Sequence, residues 1–67
     1  MSAASHFYLQ QAEDCDTAAA ASPLANRRAV LLRSKAVWLA LAAREIEVQN
    51  ARADRDRARQ VEIANER

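Results

Sequence analysis

His6 and Cys15 are the only histidine and the only cysteine in this 67-residue sequence, and they are its best candidates for nucleophilic or soft-metal chemistry. Cysteine–histidine catalysis needs both groups in one cleft, with a third residue orienting the base. Here His6 falls where a helix would begin, and Cys15 falls among apolar residues at helical spacing, where a thiol packs as a small hydrophobe. One residue of each type also falls short of the four-ligand sets, with paired spacing, that hold zinc. The carboxylates Glu13, Asp14 and Asp16 have no histidine partner and no E-x-x-H spacing of the kind that builds metal sites in helical bundles. They read as a solvated face. Glu45 and Glu47 are two residues apart, so on a helix they point to different sides. With no glycine in the chain there is no phosphate-cradling loop. The expectation is a non-enzymatic protein with no catalytic, cofactor-binding or metal site.

Charge offers a second kind of chemistry. Ten basic residues against nine acidic ones give a formal net charge of +1, too small to favour nucleic acid or a membrane surface by itself. The distribution is uneven, however. Residues 1–26 carry Glu13, Asp14 and Asp16 and no Lys or Arg, whereas residues 27–44 carry Arg27, Arg28, Arg33, Lys35 and Arg44 and no acid. Those five bases are the alternative reading: contacts to a phosphate backbone by a nucleic-acid-associated accessory protein. Against it stand the acidic segment, expected to lie beside the bases, and the absence of a turn-plus-recognition-helix pattern. Trp38 is the lone aromatic in that stretch. The longest apolar run, residues 36–43, is far below the roughly 20 residues that span a bilayer, so no membrane span is expected. A single cysteine forms no internal disulfide, and the N-terminal residues lack a basic-then-apolar leader. A cytosolic location is expected.

Composition points to an all-α chain. Turns of β-hairpins want glycine at positive φ, and there is none; no segment alternates as a strand requires. Residues 1–5 read as a flexible N-terminus with Ser5 a candidate N-cap. A short first helix follows at about 6–21, with Tyr8, Ala12, Cys15 and Ala19 on one face. The only proline, Pro23, lies in a turn at about 22–25. Either Ser22, with proline at the first helical position, or Asn26 could cap the next helix, and Asn26 is preferred. A long second helix runs from about 26 to 58, leaving 59–67 as a frayed, charged tail. So short a connection implies an antiparallel αα-hairpin. Counting outward from the turn, facing residues sum to about 47, which sets Tyr8 against Trp38 and Leu39, Cys15 against Leu31 and Leu32, and Asp14 near Arg33. The expected hairpin core is therefore Tyr8, Ala12, Cys15, Ala19, Leu31, Leu32, Trp38 and Leu39, with helix one covering helix two to about residue 42.

One helix cannot shield a stretch as apolar as residues 29–43, where Arg33, Ser34 and Lys35 are the only polar residues of fifteen. A second series, Val30, Val37, Leu41 and Val48, is spaced 7, 4 and 7 and lies displaced around the helix. A hairpin of this size is also near the lower limit for folding alone without disulfides or metal. Both points imply a partner chain, most simply another copy. Two hairpins packed through Val30, Val37, Leu41 and Val48 would form a four-helix bundle, a homodimer or higher homo-oligomer. Another helical protein is the alternative cover.

The pattern Tyr8, Gln11, Ala12, Cys15, Ala18 and Ala19, then Arg28, Leu32, Ser34, Ala36, Trp38 and Ala42, resembles a group of short uncharacterised alphaproteobacterial proteins. The resemblance covers residues 6–44. It implies a small bacterial helical hairpin and supplies no activity. This chain departs from the group in being more apolar at Val30, Val37 and Leu39, which implies a more deeply covered second face.

Overall fold

The structure, a computed structural model, describes residues 2–66; Met1 and Arg67 lie outside the described residues. Two helices account for nearly all of it: α1, Ala3–Ala21, and α2, Ala25–Asn65. They pack against each other as an antiparallel hairpin, and no strand occurs among the described residues. The molecule is a rod of 66 × 14 × 11 Å. Its length is that of α2, since 41 residues at the α-helical rise span about 61 Å.

Both helices start earlier than the sequence suggests. Ser2, not Ser5, caps α1: its backbone is extended, and its hydroxyl accepts the Ser5 amide at 3.1 Å. Ser5 lies inside the first turn and is fully buried, its own hydroxyl donating to the Ser2 carbonyl at 2.9 Å. Residues 3–5 are thus helical rather than flexible. A serine can satisfy its hydroxyl locally and pack like an alanine, which lets it sit where α1 touches α2. The extra turn extends the paired region past residue 42, to Ile46, Gln49 and Asn50.

The turn needs no glycine because no residue in it takes positive φ. Ser22 and Leu24 are both extended, at φ −86° and −91°, and a residue before proline is driven to that region by the pyrrolidine ring. The Ser22 amide closes onto the Ala19 carbonyl at 3.2 Å, and Arg28 Nη1 donates to the Ser22 carbonyl at 2.9 Å. Leu24 is the N-cap residue of α2 and offers no side-chain oxygen; Asn26, the expected cap, is one residue inside the helix. With Pro23 directly before the cap, the chain enters helical geometry before Asn26 is reached.

The seam between the helices follows a heptad-like count. On α1, Ser5, Ala12 and Ala19 are the buried positions, with Tyr8 and Cys15 half-buried between them and Ser22 half-buried just past the helix end. On α2 the half-buried series is Leu31, Ser34, Lys35, Trp38, Glu45, Ile46 and Gln49, around a buried Ala42 that is 1% exposed. Spacings of 3 and 4 keep each series on one side of its helix. Small residues every seventh position on α1 bring the two backbones close, and the larger side chains pack at the edges.

Beyond Asn50 α2 has nothing beside it. Every described residue from Ala51 to Glu66 is exposed, yet the helix runs to Asn65, past the expected fraying point at 58. Extending an existing helix avoids the nucleation cost that makes short isolated helices marginal. The segment is Ala- and Arg-rich with neither glycine nor proline, and Arg57 pairs with Asp54 one turn away.

Candidate functional site

The residues suited to catalysis are not brought together. His6 and Cys15 are nine positions apart on one helix, which places them about 180° apart around it. His6 is exposed, whereas Cys15 is half-buried in the seam. No group of three potential metal ligands occurs among the described residues. The three acids of α1 are all exposed and each is turned differently. Asp14 accepts from Gln10 Nε2 at 2.9 Å within its own helix, and Asp16 pairs with Lys35 Nζ at 2.9 Å across the seam. The expected approach of Asp14 to Arg33 is replaced by this Lys35–Asp16 pair. Arg33 lies on the outer side of α2, and the Lys35–Asp16 pair sums to 51, one helical turn from the expected count of 47.

The five bases proposed for phosphate are likewise dispersed. Arg28 is held on the Ser22 carbonyl, and Lys35 on Asp16. Arg33 and Arg44 lie roughly half a turn around α2 from Arg28 and Lys35, and Arg27 lies beside the interhelical turn. They make no single stripe.

The open end of the hairpin holds a polar arrangement that residue counting did not single out. Glu45 Oε1 accepts from Gln49 Nε2 at 3.0 Å and lies 3.4 Å from the Ser2 hydroxyl, which donates to it. The carboxylate therefore sits at the N-terminus of α1, where the helix dipole and unpaired amides favour negative charge. A shallow dent of about 240 Å³ lined by Ser2, Ser5, Ile46, Gln49 and Asn50 adjoins it. All the buried side-chain polar atoms described have hydrogen-bond partners, so this arrangement is a satisfied clasp. The antiparallel count of 47 does set residue 45 opposite residue 2; the signal lay in that sum.

An aromatic cluster fixes the middle of the seam. Trp38 stacks on Tyr8 with centroids 5.9 Å apart and meets the edge of Phe7 at 5.8 Å. The predicted Tyr8–Trp38 contact is therefore present, and Phe7, which sequence reasoning left out, joins it while remaining 53% exposed. Ala12, Ala19, Tyr8, Cys15, Leu31 and Trp38 lie in the seam. Leu32 and Leu39 do not: they are 48% and 42% exposed. Each is one residue from a seam position, and about 100° of rotation carries it to the flank.

Along the paired part of α2, apolar surface remains exposed on two flanks. Leu32 and Leu39 form a thin row that borders Arg28 and the Lys35–Asp16 pair. On the other flank Val30, Val37, Leu41 and Val48 are all exposed, Val37 at 60%. They share an arc of about 40°, centred about 100° from the seam. On the same side α1 presents Ala4, Phe7, Gln11, Cys15 and Ala18, an uncharged row with Asp14 at its edge. This flank is two helices wide. No family model, curated protein or solved structure matches the chain.

Proposed function

We propose that this chain acts through self-association, two hairpins closing into a four-helix bundle over the flank of Val30, Val37, Leu41 and Val48. It is read as a non-enzymatic, cytosolic interaction protein. The single observation behind the reading is that flank: four aliphatic side chains at helical spacing, continued onto α1 by Phe7, all open to water. Exposed apolar residues scattered singly are ordinary, but a contiguous patch is the signature of an interaction surface. Surface area supports the same reading. A folded globular monomer of 7.4 kDa exposes about 4,200 Å², whereas this one exposes 5394 Å². The excess is larger than the roughly 800 Å² that each partner buries in a standard interface, and the unpaired end of α2 accounts for part of it.

Sedimentation equilibrium tests the proposal. The wild-type chain is expected at a multiple of 7.4 kDa, and Val37→Glu at 7.4 kDa, because one charge in an apolar contact lacks a partner. A Val37→Glu mass equal to wild type would remove this interface. A wild-type chain that stays at 7.4 kDa would transfer the flank to another helical protein. Filter binding at about 50 mM salt checks the nucleic-acid alternative where phosphate contacts are strongest; with Arg33 and Arg44 turned away from Arg28 and Lys35, no retention is expected.

A further inference from the structure

Building on the self-association reading, we infer that the second copy docks antiparallel, with Val30 against the partner's Val48 and Val37 against the partner's Leu41. The spacing of the exposed series is palindromic. Val30 and Val48 are equidistant from residue 39, and so are Val37 and Leu41. A two-fold axis at that level therefore matches every large aliphatic of the stripe with another. The same residues carried in parallel would continue through Arg44, three residues past Leu41, and Arg55, seven past Val48, and would set each arginine against its own copy. Antiparallel docking brings Arg44 level with the partner's Ser34, so neither arginine meets its own copy. Arg55 falls level with the partner's interhelical turn, outside the packed length. Arg33 and the partner's Arg44 come to the same rim, where long side chains reach solvent.

The hairpin's own geometry fits this arrangement. Seam and stripe are about 100° apart around α2, so a partner helix on the stripe and α1 on the seam occupy two sides of a square. In an antiparallel pair matching flanks face the same way, so the two α1 helices also become neighbours. Phe7 then lies over the partner's Gln11 region instead of in water. The packed part between Val30 and Val48 is about 27 Å long, and each α2 projects past its partner's turn by residues 56–66, about 16 Å.

Two measurements test the docking direction. Small-angle scattering of the wild-type chain should give a longest dimension of about 80 Å for the antiparallel dimer; a parallel dimer keeps the 66 Å of one hairpin, and a dimer of that length overturns the inference. In a Cys15→Ser background, Val30→Cys and Val48→Cys chains carrying different tags should cross-link on mild oxidation only when mixed. Cross-linking of the Val30→Cys chain to itself would overturn antiparallel docking and leave self-association standing. A mass of 7.4 kDa at every concentration would remove the self-association reading as well.

Discussion

Residues 25–50 and 51–65 of α2 belong to one continuous helix of the same hand and pitch, and they differ in nearly everything that holds a helix in place. The first part has α1 along it, with Ala42 sealed beneath α1 and Trp38 wedged between Tyr8 and Phe7. The second has only its own residues: no side chain from Ala51 to Glu66 is even half-buried, and the ion pair Arg57–Asp54 is local. One helix is thus held by packing at one end and by propensity at the other. The second kind depends on the first, because the projecting turns are elongation from a nucleus that the hairpin supplies.

Substitutions divide the two parts by magnitude. Trp38→Ala removes the aromatic cluster and should cost about 3 kcal/mol, enough to abolish the cooperative thermal transition followed by circular dichroism; a melt like wild type would mean that the cluster holds nothing together. Next in size, Ala42→Leu forces volume into the closest approach of the helices and should cost about 1–3 kcal/mol. Ala53→Leu, the same change on the projecting part, should stay within about 0.5 kcal/mol. Equal effects at the two positions would erase the contrast. Glu45→Ala loosens the clasp at the α1 N-terminus and should cost about 1 kcal/mol. Removing residues 51–66 should shift the hairpin's stability by less than about 1 kcal/mol, and amide exchange in the intact chain should be fastest there. Smallest is Lys35→Ala, about 0.2–1 kcal/mol and shrinking with added salt, since the Lys35–Asp16 pair is part-exposed on both sides.

Much of this was legible from residue types alone. The absence of glycine excluded tight β-turns, Pro23 marked the bend, and helical spacing named Ala12, Cys15, Ala19, Leu31 and Trp38 as seam residues. The antiparallel count brought Tyr8 to Trp38. Errors arose where one residue of register matters. Leu32 and Leu39 are as apolar as Leu31, and only the rotation of α2 against α1 decides which leucine is covered. Ser2 and Ser5 are both plausible N-caps by type; Ser2 takes the role by accepting the Ser5 amide, and its hydroxyl also reaches Glu45 forty-three residues away. The helix runs past 58 to Asn65 although nothing covers it, because elongation needs only residues that do not oppose it.

The amino-acid order by itself determined two helices, one bend and an excess of apolar circumference on the second helix. Those follow from backbone propensity, from proline's fixed φ and from the 3.6-residue period, all of which act locally. Tertiary packing decided the rest: which side of α2 lies against α1, that Asp16 rather than Asp14 meets a base, that Glu45 clasps the start of α1, and that Phe7 shares a flank with Val30, Val37, Leu41 and Val48. The physical reason is that small side chains at Ser5, Ala12, Ala19 and Ala42 permit close approach of the backbones. The helices seat there, and that seating fixes what every other residue faces.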